Sequence, residues 1–256
     1  MARHARIQSA TGIYHVIMRG INKQDIFESR EDFERFKVCI EKVKEVSAMK
    51  IFAYCLMSNH VHIVAGVGAE TLGECFKRLG IRYASWYNRK YNRIGSLFQE
   101  RYRSEPIEDD IYLLTAVRYI HQNPVKVGIC KEPVEYEWSS FADYISEWGG
   151  LADTNLVLGI YSKEPAEQIR LFKEFTEKDN KDEFVDIGDD VRFSDEALRE
   201  RMADICRAGN AEEFKALSCE ERDQSLLAMR KDGISIRQIA RYTGLTYSAV
   251  QSIGRR

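Results

Sequence analysis

The stretch Ile51-Phe-Ala-Tyr-Cys-Leu-Met-Ser-Asn-His-Val-His-Ile-Val64 decides how the rest of the chain is read. Its β-branched and aromatic residues predict a strand pair or one long strand. Alternate side chains of a strand share a face, so His60 and His62 present their imidazoles together while Val61 and Ile63 pack behind. Upstream, residues 12–20 read as a strand that stops at a glycine. Ser29-Arg30-Glu31-Asp32 resembles a capping box, with Phe33, Phe36, Ile40 and Val43 following at helical spacing, which predicts a helix over 30–47. Downstream, Thr71-x-x-Glu74 opens a second helix with Leu72, Phe76, Leu79 and Tyr83 on its apolar face. Residues 96–104 read as another strand. A third helix spans 109–122, and the Asn123-Pro124 step keeps it from running far beyond. Strands and helices alternating over about 125 residues predict one sheet with helices packed on it.

The 256 residues are 44% apolar and 30% charged with only 16 Gly and 4 Pro, which excludes collagen-like and low-complexity chains. No apolar run approaches the ~18 residues of a membrane helix, and Met1–Ala10 is basic with no apolar stretch behind it, so no membrane contact is expected. The six cysteines are scattered with no framework spacing and read as reduced thiols of a cytoplasmic protein. A net charge of −2 conceals a partition of +6 over residues 1–130, −12 over 131–220 and +4 over 221–256. Basic ends around an acidic middle suit two phosphate-facing segments joined by one that repels phosphate. We expect three parts: a domain over 1–145, an acidic linker with a short helix over 146–191, and a helical domain over 192–256.

Two constellations carry chemistry. His60-Val61-His62 places two imidazoles within ångströms of each other, which suits a divalent metal, although surface or hydrogen-bonded core histidines have the same spacing. In Arg118-Tyr119-Ile120-His121-Gln122-Asn123-Pro124, Tyr119 and Asn123 lie four apart at a helix end and share a face. Alone, that pair also reads as a buried tyrosine followed by an asparagine cap.

Together the two constellations resemble the single-tyrosine HUH nucleases, and more specifically the REP-associated tyrosine transposases of bacteria. The resemblance rests on Ala53–His62, on Gly95-Ser-Leu-Phe-Gln-Glu-Arg-Tyr-Arg-Ser104 and on Tyr119-Ile-His-Gln-Asn-Pro-Val-Lys126. Met1-Ala-Arg-His-Ala-Arg6 and His15-Val-Ile-Met-Arg-Gly-Ile-Asn22 also fit, so it covers residues 1 to about 145. Ser58 stands where the family often has proline. The resemblance implies a ferredoxin-like, RRM-like α+β fold with a central antiparallel sheet. It implies cleavage and rejoining of single-stranded DNA, in hairpin elements, through a 5′-phosphotyrosine. Tyr119 would be the nucleophile, and His60, His62 and Asn123 would hold Mg²⁺ or Mn²⁺. A phenol with a pKa near ~10 is a poor nucleophile at neutral pH, so a metal that polarises the phosphate makes chemical sense. His121 is expected to pack or to touch phosphate, and Asn59 to hydrogen-bond locally without a catalytic role.

DNA contacts are expected from Lys77, Arg78, Arg82, Arg89, Lys90 and Arg93, interleaved with Tyr83, Trp86, Tyr87 and Tyr91. Cations track phosphates and aromatic faces stack on unpaired bases. Arg19, Arg101 and Arg103 flank the site. At the C-terminus, residues 235–254 match a helix-turn-helix, with Tyr247, Ser248, Gln251, Arg255 and Arg256 facing duplex DNA. Monomer and homodimer both remain open. The competing reading is a non-catalytic, domesticated DNA-binding regulator that works through this helix-turn-helix.

Overall fold

A computed structural model describes residues 7–146, 149–178, 195–206, 208, 210–231, 234, 236–246 and 249–250. The described residues fall into two compact units: residues up to 123 with 132–178, and residues 124–131 with those from 195 onward.

The first unit opens as β1 (Ile13–Arg19), α1 (Arg30–Ser47), β2 (Lys50–Met57), β3 (His60–Gly66), α2 (Leu72–Lys90), β4 (Arg103–Ile107) and α3 (Asp110–Lys126). The strands form one sheet in the order β2-β3-β1-β4, with every pairing antiparallel, which is the βαββαβ arrangement of a ferredoxin-like fold. The capping box at Ser29 forms as expected: the Asp32 carboxylate accepts from the backbone N–H of Ser29 at 2.9 Å and of Glu28 at 2.6 Å. The stretch around the histidines is a strand pair, turned at Ser58 and Asn59. The backbone of Gly20 donates to Asn59 O at 2.8 Å, and those of Ile26 and Phe27 donate to Ser58 O, so the turn is tied to the end of β1. Gly20 must be glycine, because a Cβ there would collide with the Gln24 carbonyl.

Period-two alternation divides the sheet. Val16, Met18, Tyr54, Leu56, Val61 and Ile63 face α1 and α2, where Phe36, Ile40, Val43, Phe76, Leu79 and Tyr83 complete a buried core. Truncating such a side chain typically costs about 2–5 kcal/mol. The opposite face carries His15, Ile17 and Arg19 from β1 beside Val64, His62 and His60 of β3. α3 covers that face, with the Tyr119 ring edge-on to His15 and His62.

Three expectations change. The strand expected over 96–104 lies at Arg103–Ile107. Residues 97–99 instead run irregularly beside β1, through Ile21 N to Leu97 O, Gln99 N to Arg19 O and a single bridge at Phe98. α3 runs through Pro124 to Lys126, because a missing amide donor in the last turn of a helix removes only one ladder bond. Residues 149–178, read as the start of a linker, build α5 (Asn155–Tyr161) and α6 (Pro165–Glu177) after the short α4 (Phe141–Ile145). Their side chains belong to the first unit: Phe172 is fully buried and stacks on Tyr144 at 4.3 Å, and Asp153 N donates to Ile51 O. The acidic run 179–190 lies outside the described residues.

The second unit contains α7 (Asp195–Cys206), α8 (Ala211–Ala216), α9 (Cys219–Lys231) and α10 (Ile236–Thr243). They enclose Met202, Phe214, Leu226, Met229, Ile239 and Val250. Asn210 caps α8 by accepting from Glu212 N and Glu213 N at 3.0 Å. After α10, Gly244 takes φ +64, which suits a glycine in a tight turn, and Thr246 O accepts from Val250 N. Among the described residues no helix is long and apolar enough to cross a membrane.

Candidate active site

Strand register assembles one side of the site. In the antiparallel pairing of β1 with β3, Arg19 stands opposite His60 and Ile17 opposite His62, while His15 stands opposite Val64. All are on the α3 side of the sheet. The helical spacing of Tyr119 and Asn123 supplies the other side. His60 and His62 meet at 4.8 Å between ring centroids, and the Tyr119 ring lies 5.8 Å from that of His62 and 5.9 Å from that of His15. One chain therefore brings the phenol against the paired imidazoles, with Asn123 one turn further along α3. These groups are buried, with exposures of 4% for His60, 1% for His62, 3% for Tyr119 and 8% for Asn123.

Burial determines the charge state. It drives His60 down to about 3, helped by the positive charge of Arg19. It holds His62 well below the ordinary value, with smaller contributions from His60 and His15. His15 falls to about 4 through burial. All three imidazoles are thus neutral at pH 7, the form that offers a lone pair to a cation. His60 Nδ1 lies 2.7 Å from Asn59 Oδ1, and His62 Nδ1 lies 3.1 Å from His15 Nε2. His62 Nε2 and Asn123 Nδ2 are buried with no hydrogen-bond partner among the described residues.

The rest of α3 is fastened from behind. His121 Nε2 lies 2.7 Å from Ser140 Oγ, within an aromatic box of Phe141, Tyr144 and Phe172. Burial there lowers His121 to about 3, so it is a neutral packing residue. Gln122 Nε2 donates to the carbonyls of Thr176 at 2.6 Å and Lys178 at 3.2 Å, and Arg118 lies 4.0 Å over the Phe175 ring.

The expected DNA-contact residues divide. Arg19 is buried on the site face, and Arg103 stands across β1 from Ile17 on that same face. Lys77, Arg78 and Arg82 line a groove on the outer side of α2, with Glu74 and Ile81. A neighbouring groove is lined by Lys77, Arg101 and Phe98. Neither groove is lined by the histidine pair. Arg78 is held by Glu70 at 2.9 Å, and Arg89 is exposed. Lys90, by contrast, is committed to α1: its ammonium meets Asp32 at 2.7 Å and Glu31 at 2.8 Å. Arg93 donates to Gln24 Oε1 at 2.8 Å, Trp86 is half-buried beneath Lys90, and Tyr83 and Tyr87 belong to the core. Tyr247, Ser248, Gln251, Arg255 and Arg256 lie outside the described residues.

His15 and the fastening of α3 were missed in the sequence. His15 carries a signal, since it is two residues from Ile17 on the same strand face, but its partner depends on a register 47 residues away. Asn59 does bond locally as expected, and its partner is His60.

Fold and site together define a ferredoxin-like α+β domain whose second sheet face holds His15, His60 and His62 beneath a helix bearing tyrosine and asparagine. Residues 8–123 match the family described as "Transposase IS200 like". The fold is also that of a solved REP-associated tyrosine transposase bound to a REP hairpin, at 17% identity and a TM-score of 0.50, covering 60% of this chain and 94% of that one. No curated protein matches the chain.

Proposed function

We propose that this protein is a transposase that cleaves and rejoins single-stranded DNA at hairpin elements through a 5′-phosphotyrosine on Tyr119. The observation that carries the reading is the meeting, within one chain, of the Tyr119 ring with the His60–His62 pair. The match of residues 8–123 to the IS200-like transposase family and the hairpin bound by the structural relative support a hairpin substrate. In the step itself, the Tyr119 oxygen attacks the phosphorus and the P–O3′ bond breaks. The phenol proton is balanced by the 3′-OH that leaves. The phosphodiester energy is kept in the Tyr–O–P bond, so a 3′-OH can later reverse the step without ATP.

The residues present fit a divalent cation, Mg²⁺ or Mn²⁺. Burial keeps both imidazoles neutral, and His62 Nε2 is a buried nitrogen without a partner among the described residues. His60, His62 and the Asn123 carboxamide would hold the ion, and two nitrogens favour Mn²⁺. When bound it polarises the phosphate and offsets charge in the transition state. Arg19, buried beside His60, supplies a second positive charge for a phosphate oxygen. Lys77, Arg82 and Arg101 on the α2 grooves track the DNA backbone, and residues 235–254, whose sequence matches a helix-turn-helix, contact duplex DNA. The protein works in the bacterial cytoplasm.

The test is a single-stranded hairpin labelled at either end and incubated with the protein and Mn²⁺. On a denaturing gel the 3′-labelled fragment should migrate with protein attached, and the 5′-labelled fragment should carry a free 3′-OH. Tyr119→Phe should lose the adduct while retaining hairpin binding. Adducts formed by that variant would assign the nucleophile elsewhere. Hairpin binding by the unaltered chain without any cleavage would favour a regulator acting through the C-terminal unit.

A further inference from the structure

Ile94 is 100% exposed, more than any other large apolar side chain among the described residues. It sits on the turn that follows α2, and that turn is fixed on both sides of it. Asn92 takes φ +49 and Gly95 φ +100, backbone that asparagine and glycine tolerate best. Arg93 N donates to Asn88 O at 2.8 Å, and the Asn88 Nδ2 donates across the turn to Gly95 O at 2.9 Å. The Arg93 guanidinium donates to Gln24 Oε1 at 2.8 Å and lies 5.5 Å over the Tyr87 ring, while Ser96 Oγ donates to Phe98 O at 2.6 Å. Single exposed aliphatic residues are ordinary on protein surfaces. Ile94 differs in being held out on a rigid mount at the border of a groove.

That groove is the one lined by Lys77 and Arg101, and Gly95 and Ser96, the residues next after Ile94, line it as well. Its apolar wall is made by Met18, Gly80, Ile81, Ala84 and Phe98. The two cations outnumber the one carboxylate of the described lining, Glu100. Cations beside an apolar wall suit an unpaired strand, which has charged phosphates and uncovered base faces. Paired DNA hides its base faces in the stack, except at the end of a stem, where the last pair shows one flat face. A branched aliphatic side chain on a fixed mount complements that face, and apolar side chains such as Ile, Leu, Met and Phe are the ones that proteins press against base steps.

We propose that Ile94 is a wedge that stacks on the last base pair of the hairpin stem, at the point where the single strand departs into the groove of Lys77 and Arg101. The inference rests on the hairpin reading above and adds which part of the DNA this turn takes. The wedge marks where pairing stops, while the cations hold the strand beyond it. Because the side chain is uncharged, its contribution is independent of salt, unlike that of Lys77 or Arg101.

The experiment uses the full chain and a DNA hairpin with a single-stranded flank, carrying the fluorescent base 2-aminopurine in the last pair of the stem. Binding of the unaltered chain should change the fluorescence of that base and leave the same label deeper in the stem unaffected. Ile94→Ser should melt like the unaltered protein, because the side chain is fully exposed. It should lose the fluorescence change and bind the flanked hairpin about tenfold more weakly, the worth of burying one isoleucine side chain. Its slope of log affinity against log salt should be unchanged, and so should its affinity for the flank strand without a stem. Ile94→Leu should restore both binding and fluorescence. An Ile94→Ser protein that binds and responds like the unaltered one overturns the wedge and leaves the hairpin reading standing. No response at the stem end in the unaltered chain, or an equal loss on the stemless strand, overturns it as well. So does a dimer of the unaltered chain that Ile94→Ser dissociates in sedimentation, which would give the tip to a second copy. If the unaltered chain binds no hairpin at all, the hairpin reading fails and the wedge with it.

Discussion

Gln122 holds the helix that carries Tyr119 and Asn123, and replacing it with leucine tests how much that hold matters. Its Nε2 donates to the Thr176 carbonyl at 2.6 Å within the buried interior and to that of Lys178 at 3.2 Å in a partly buried setting. In Gln122→Leu both carbonyls lose a donor. An orphaned buried acceptor costs about 1–3 kcal/mol, and water can replace the outer bond, so the expected loss is about 1.5–3 kcal/mol. For a unit of this size each kcal/mol shifts the melting temperature by about 2–4 °C, which predicts a fall of about 3–12 °C. Cleavage should suffer more than stability, because a displacement of about 1 Å at a reacting group costs about 100-fold in rate. Hairpin affinity should change less than about twofold, since the α2 grooves lie on the other side of the sheet from α3. Arg170→Ala is the control: its ion pair with Glu174 on the same helix is exposed at 60% and 69%, worth at most about 0.5 kcal/mol. Thermal melting, hairpin titration and single-turnover cleavage of the three proteins decide it. Wild-type melting and wild-type cleavage in Gln122→Leu would show that α6 does not hold the site. A parallel loss of binding and cleavage would mean a general unfolding instead.

Asp32 is fully buried. Burial raises it, but hydrogen bonds from Lys90, from the backbone amides of Glu28 and Ser29 and from Tyr91 outweigh that and hold it below the usual carboxylate range. A depressed pKa stabilises the fold above the unfolded value near ~3.9, and the gain disappears as pH falls through the folded value. Asp32→Asn should therefore lose about 2–4 kcal/mol at pH 7, and urea denaturation should show the gap to wild type narrowing at pH 3. An equal gap at both pH values contradicts the ion-pair account. Lys77 and Arg82 are exposed on the α2 groove, and replacing both with glutamine should weaken hairpin binding. The slope of log affinity against log salt should become shallower by about 1.4, the expected change for two contacts with single-stranded phosphate. An unchanged slope removes them from the DNA path.

Much of the first unit is legible in sequence because its signals are local. The capping box and the spacing of Phe36, Ile40 and Val43 delimit α1, and alternation around Val61 places His60 and His62 on one face. The i, i+4 spacing of Tyr119 and Asn123 places that pair on one helix face in the same way. Features set by packing are not legible. Leu97 and Phe98 have strand composition, yet they plug the core from an irregular segment, because the β1 edge available to pairing is taken by Arg103–Ile107. α5 and α6 look like linker because their polar faces dominate the composition, while Phe172 and Thr176, which bind α3, are two residues in a mostly exposed stretch. His15 acquires its partner only when β1 pairs with β3 in one register, and a slip of one residue would turn its side chain to the opposite face. Local periodicity thus determined which residues share a face, and long-range strand pairing and helix docking decided which faces meet, because contact energy between distant segments leaves no local pattern.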